Sequence, residues 1–152
     1  MNPLVIGIII VIGFLTAVIL LAIYNSSEDN GSNSSVIETF TGHITDVIDG
    51  DTVEIAHVRI RLSLTSTPEL NQDGGVEAKE FTTNLCPLGS IARVIVDGGQ
   101  PQEQYGRTVA KVYCGDVLLN SELLEYGLAT IDKRFCSVTV FASEDWVKKY
   151  GC

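Results

Sequence analysis

The chain has 152 residues, enough for one domain plus accessory segments. Its 19 acidic residues outnumber 10 basic ones, for a formal net charge of −9. Diffuse positive charge is therefore excluded as a way of holding nucleic acid, because phosphate contacts need Lys and Arg. Any such role must come from a local site, helped by a metal cation.

Residues 1–3 form a short N-terminal end. Leu4–Tyr24 follows, 21 residues without a charge and rich in Ile, Leu and Val. At about 1.5 Å per residue, a helix of this length spans the ~30 Å hydrocarbon core of a bilayer. A cleaved signal peptide is the competing reading. It wants a basic start, a shorter apolar run and a small-x-small cleavage site. Met1-Asn2-Pro3 has no base, and Ala22-Ile23-Tyr24-Asn25 is a poor cleavage site. The expectation is an uncleaved, single-pass signal anchor. Residues 25–35, NSSEDNGSNSS, read as a polar flexible linker. They hold Asn-x-Ser sequons at Asn25, Asn30 and Asn33. The first basic residue is Arg59, so the positive-inside rule has nothing to count. Sequons and cysteines together point to a domain on the extracytoplasmic side of the membrane.

Residues 36–152 read as one folded domain. Val36–Ile48 alternates as a first strand and ends at the tight-turn dipeptide Asp49-Gly50. Thr52–Ile55 and Val58–Leu64 read as two further strands, joined near Ala56-His57. Val76–Leu85 reads as a helix with Ala78, Phe81 and Leu85 on one side, stopped by Pro87 and Gly89. Ile91–Val96 and Thr108–Tyr113 are the fourth and fifth strands. Ser121–Tyr126 is a short helix with Gly127 at its end, and Ser143 opens a last helical turn or two. Glu144 and Asp145 near its start and Lys148 and Lys149 near its end suit the helix dipole. The fold class expected is α+β, mainly β: a five-stranded Greek-key barrel of the OB type with two to three short helices.

Cysteines stand at 86, 114, 136 and 152, with no C-x-x-C pair and with His43 and His57 far from them. That pattern disfavours zinc. An even count in a small domain behind a membrane segment favours two disulfides over buried or free thiols.

Three local features carry chemistry: Asp49-Gly50-Asp51-Thr52, Arg61 with Thr67-Pro68-Glu69, and Tyr105-Gly106-Arg107. Each is unremarkable alone. In this order they resemble the staphylococcal nuclease (thermonuclease) family. The matching residues are Val47-Ile48-Asp49-Gly50-Asp51-Thr52-Val53, Arg61-Leu62-x-Leu64-x-x-Thr67-Pro68-Glu69 and Tyr105-Gly106-Arg107-x-x-Ala110. Glu77-Ala78, Phe81-Thr82, Leu119-Asn120 and Gly127-Leu128-Ala129 extend the likeness over about Ile44 to Ile131.

The resemblance implies a Ca²⁺-dependent nuclease acting on DNA and RNA, single strands preferred. Arg61 and Arg107 match the catalytic arginines, which hold charge developing on a phosphodiester. Glu69 matches the glutamate that positions or deprotonates water. Asp51 and the carbonyl of Thr67 match calcium ligands. Tyr105 and Tyr126 are the candidates for nucleotide contacts, with core packing the equal rival for Tyr126. Ser66 is a departure, since the family usually has Asp immediately before Thr-Pro-Glu. A serine hydroxyl can ligate Ca²⁺ but brings no charge; Asp49, Glu69 or Asp73 are candidates to compensate. The cysteine pattern looks like a disulfide-containing branch with a shortened C-terminal helix. Three pairings are possible. The one expected is Cys86–Cys114 with Cys136–Cys152, the second stapling the last helix to the barrel. The chain is expected to be monomeric. The alternative function is a non-catalytic OB-type module, tethered to the membrane, that binds nucleic acid or protein.

Overall fold

The computed structural model describes residues 38–152. The expected anchor and linker lie outside the described residues. Among those described, no helix is long and apolar enough to cross a membrane.

Five strands make the barrel. They are β1 (Thr39–Val47), β2 (Thr52–Ile55), β3 (Val58–Leu62), β5 (Ile91–Val96) and β6 (Thr108–Cys114), with a two-residue β4 (Thr65–Ser66) between β3 and β5. The sheet runs β3-β2-β1-β5-β6, and a parallel pairing of β3 with β6 closes it. The OB-type barrel expected from the sequence is therefore the fold. Ile44, Val53, Ile55, Ile60, Leu62, Val94 and Val112 fill the interior at 2% exposure or less. Period-2 alternation places them there, since every second side chain of a strand points inward.

β2 and β3 turn over Ala56 and His57, both at positive φ, as a two-residue hairpin of this twist requires. β1 passes close behind that turn. A Cβ at Gly42 would lie 2.7 Å from the Ala56 Cβ, so only glycine fits.

The expected third strand stops early. Leu64 has φ of 61°, which ends β3 at Leu62 and sends the chain into β4. β4 pairs with β8 (Thr130–Ile131), forming a second, small sheet beside the barrel.

Among the described residues, three α-helices accompany the strands. α1 (Gly75–Leu85) buries Ala78 and Thr82. α2 (Leu119–Glu125) follows the short β7 (Val117–Leu118). It starts two residues before the expected Ser121, because Leu119 and Asn120 are fully buried. Asn120 is a tie between elements: its Oδ1 accepts from Val112 N at 3.0 Å, and its Nδ2 donates to Ser63 O at 3.0 Å. α3 (Asp145–Lys149) is the short final helix.

The C-terminal segment docks through buried polar groups. Asp97, 1% exposed, accepts from Ser63 Oγ at 2.7 Å, Thr139 Oγ1 at 2.6 Å and Val140 N at 3.0 Å. Lys111 reaches Glu144 at 2.5 Å. Leu64, Phe141 and Val147 form a second apolar cluster there. Both expected disulfides are present, Cys86–Cys114 and Cys136–Cys152.

Candidate active site

Barrel closure brings the two arginines together. In the parallel pairing Arg61 lies opposite Val109, and Arg107 immediately precedes Thr108, the partner of Ile60. Residues about 46 apart in sequence thus meet at one end of one seam.

The acidic turn is held there from behind. Asp51 N donates to Asp49 Oδ1 at 3.1 Å, a local turn that sends the chain from β1 into β2. α1 clasps the same turn: Thr82 Oγ1 donates to Gly50 O at 2.7 Å and Lys79 Nζ to Ile48 O at 3.2 Å. A Cβ at Gly50 would fall 2.6 Å from the Ala78 Cβ and 2.8 Å from Thr67 Oγ1. Any side chain at position 50 therefore pushes the turn off the helix.

Asp51 is the hub. Its Oδ1 takes Arg61 Nη1 at 2.7 Å and Thr52 Oγ1 at 3.2 Å. Its Oδ2 takes Thr67 N at 2.7 Å and Thr67 Oγ1 at 3.1 Å. Burial pushes the Asp51 carboxyl above the usual range, and the Arg61 charge and the Thr67 N–H only partly oppose this. Arg61 Nη1 also donates to Thr65 O at 2.6 Å, and Nη2 lies 3.5 Å from Ser66 Oγ. Arg107 joins the network through Thr52, donating from Nη1 to Thr52 Oγ1 at 3.1 Å.

Arg107 is aimed by a residue the sequence did not reveal. Its Nε and its backbone N–H donate to Glu103 Oε1 at 3.0 and 3.1 Å. Partial burial raises the Glu103 carboxyl, but the hydrogen bonds from Arg107 and Tyr105 outweigh it, and the group lies below its usual range. The same bond raises the Arg107 pKa. An acid four residues before an arginine was the available signal.

Arg61, Glu69, Arg107, Asp51, Ser66 and Tyr105 all line one cleft of about 520 Å³. Tyr105 is 76% exposed, with its ring 5.6 Å from the Arg107 guanidinium. Thr67 does not line the cleft; it serves Asp51 from behind. Tyr126 is elsewhere too, packing on Phe81 at 4.9 Å beside a separate shallow depression. Of the acids that could compensate for Ser66, Asp49 and Glu69 line the cleft and Asp73 does not. Asp132 and Arg134 also line it, and neither stood out in the sequence.

Three arginines and five carboxylates line the cleft, leaving an excess of two negative charges. Among the described residues no three His, Cys, Asp or Glu side chains converge as a metal-binding group. The donors nearest the arginines are nonetheless hard oxygens, from Asp51 and Ser66. Such a set suits a hard divalent cation and no soft one.

A small barrel closed at the β3–β6 seam, with Arg61, Arg107 and Glu69 in one cleft, defines a class. The chain belongs to the staphylococcal nuclease homologue family, whose model matches residues 59–146. It is 37% identical over 93 residues to a thermonuclease of Staphylococcus intermedius, covering 55% of this chain and 54% of that protein. It is 29% identical over 118 residues to an uncharacterised protein of Bacillus anthracis, covering 71% of this chain and 55% of that protein. The chain thus spans about half the length of these relatives.

Proposed function

We propose that the protein is a nuclease that hydrolyses phosphodiester bonds of DNA and RNA. The observation that carries this reading is the convergence of Arg61, Arg107 and Glu69 on one cleft. A guanidinium has five N–H donors in a planar fork. Arg107 spends one on Glu103 and one on Thr52, and three remain for an incoming phosphate. Arg61 spends both Nη1 hydrogens on Asp51 and Thr65 and one Nη2 hydrogen on Ser66, and keeps Nε–H and the other Nη2 hydrogen. Such forks hold anionic oxygens most strongly as charge builds on them. Glu69 is exposed, and its backbone N–H donates to Gln72 Oε1 at 3.1 Å. In the reaction, Glu69 takes a proton from water as the water oxygen bonds to phosphorus. The phosphorus–oxygen bond to the leaving group breaks, and the leaving oxygen collects a proton from solvent. The family resemblance implies cleavage with little base preference, leaving 3′-phosphates.

Calcium is part of the proposal. Asp51 and Ser66 are the cleft residues that would hold it; the Thr67 carbonyl, which the resemblance adds, belongs to a residue that does not line the cleft. When bound, it would offset the cleft's excess negative charge and polarise the phosphate. The reading also takes the protein as a monomer, held by a single-pass anchor with the barrel on the extracytoplasmic side.

The purified full-length protein should digest single-stranded DNA with millimolar Ca²⁺ and stop when EGTA is added. Glu69→Gln should lose most of the rate. No hydrolysis under these conditions would sink the proposal.

A non-catalytic binding module is the second reading. Asp51 favours it, since its carboxylate accepts four hydrogen bonds, from Arg61, Thr52 and twice from Thr67. Single-strand binding without turnover, unaffected by Glu69→Gln, would establish that reading instead.

A further inference from the structure

Three arginines line the cleft, and each is gripped by one carboxylate. Arg61 is held by Asp51 and Arg107 by Glu103. The third pair is Arg134 with Asp132. Arg134 Nε donates to Asp132 Oδ1 at 2.9 Å, and Nη2 donates to Oδ2 at 2.6 Å. From this repeated construction we propose that Arg134 is a further phosphate-binding residue, taking a phosphate of the nucleic-acid strand other than the one being cut. The proposal rests on the nuclease reading above.

The Arg134 side chain is 80% exposed, while that of Asp132 is 13% exposed. The carboxylate is thus the fixed member and the guanidinium is presented to solvent. Asp132 is fixed twice over, because its Oδ1 also accepts from Arg134 N at 3.2 Å, capping the 3₁₀ turn Lys133–Phe135. That turn is anchored at both ends. Asp132 N donates to Leu64 O at 2.8 Å, directly after β8 pairs with β4. Cys136, which closes the turn, is bonded to Cys152. Phe135 packs against the second apolar cluster. An Asp–Arg pair whose guanidinium is this exposed contributes little to stability. Preorganising a guanidinium whose remaining N–H groups are free for a ligand is the use its geometry suits.

Arg134 serves a different phosphate for a structural reason. Arg61 and Arg107 belong to one hydrogen-bonded network through Asp51 and Thr52. Among the described residues, the Arg134 side chain donates only to Asp132, on the β8 side of the same cleft. In a protein of net charge −9, each cationic contact with the strand has to be placed individually.

The test uses the full-length protein carrying Glu69→Gln, with Ca²⁺, and two labelled probes: a dinucleotide with a single internal phosphodiester, and a longer single-stranded oligonucleotide. Arg134→Gln should weaken the longer probe about tenfold, reduce the slope of log affinity against log salt by about 0.7, and leave the dinucleotide unchanged. Arg59→Gln, an exposed arginine outside the cleft, should do none of these. With Glu69 intact, Arg134→Gln should raise KM for long substrates at unchanged kcat. Unchanged affinity and slope for the long probe would overturn the proposal, and so would equal losses on both probes. A wild-type protein that cuts DNA while Arg134→Gln binds normally removes this inference alone. A wild-type protein that neither binds nor cuts single strands removes the nuclease reading with it.

Discussion

Replacing Arg107 by alanine is the sharpest perturbation of the cleft. Three of its five N–H donors are uncommitted, and a bidentate grip on phosphate uses two of them. A hydrogen bond to a charged group contributes about 1.5–3 kcal/mol, so two bound the effect near 3–6 kcal/mol. Removing a preorganised donor from a site of developing charge costs about 2.7–4 kcal/mol. The two ranges overlap at about 3–4 kcal/mol, which corresponds to a fall in kcat of roughly 200- to 900-fold. The assay is steady-state cleavage of single-stranded DNA at saturation, with far-ultraviolet circular dichroism to show the barrel intact. Arg107→Lys keeps the charge but loses the fork and should recover only part of the rate. A loss below tenfold would refute the reasoning. So would a loss confined to KM, because that pattern marks binding shared equally by ground and transition states.

Ser66→Asp adds a carboxylate at a position whose Oγ lies 3.5 Å from Arg61 Nη2, the guanidinium that also holds Asp51. Calorimetry should show Ca²⁺ binding at least about tenfold tighter, since one added charge near a divalent ion outweighs the new competition from Arg61; unchanged affinity would place the cation elsewhere. The disulfides should differ in their effect on stability. Their sequence separations are 28 for Cys86–Cys114 and 16 for Cys136–Cys152. Loop-closure entropy gives about 3.6 and 3.1 kcal/mol respectively, and Cys86 is also fully buried. Paired Cys→Ser changes should therefore lower Tm more at 86/114 than at 136/152, and the reverse order would contradict the argument. In a carbon-detected NMR titration of the metal-free protein, Asp51 should titrate above the ordinary carboxylate range and Glu103 and Asp132 below it. The signs differ in consequence. Asp51, with its raised folded pKa, contributes stability at low pH that is lost as pH rises through that pKa; Glu103 and Asp132 contribute stability above their ordinary values that is lost as pH falls through their depressed ones. Asp51 titrating below Glu103 would refute this ordering.

Thr52–Ile55 and Ile91–Val96 were legible to the residue, because alternation and turn dipeptides act within a few positions. The break at Leu64 was not. A leucine at φ of 61° has no local cause; it is imposed by the need to leave β3 and pair β4 with β8. Closure of the barrel by parallel β3 and β6 joins segments about 48 residues apart and leaves no local signal either. α2 lacks a side-chain cap, so its start is set by the burial of Leu119 and Asn120, not by a start signal. The cleft divides in the same way. Arg61, Glu69 and Arg107 could be read because they sit in an ordered motif. Glu103, Asp132 and Arg134 could not, because their meaning lies in which arginine each acid touches.

Part of the chain's acidity lies in the cleft itself. A free arginine is flexible, and ordering it costs side-chain entropy of up to about 2 kcal/mol. Asp51, Glu103 and Asp132 each fix a guanidinium before any ligand arrives. Their three charges cancel those of the three arginines, and the cleft's two excess negative charges come from Asp49 and Glu69. In the proposed function, a cleft so built repels phosphate at a distance and selects it at contact, where directed N–H groups would replace water. At ~0.15 M salt the repulsion is screened beyond about 8 Å, whereas the hydrogen bonds, made at about 3 Å, are not. Discrimination therefore falls to the geometry of the arginine forks, and the carboxylates are what set that geometry.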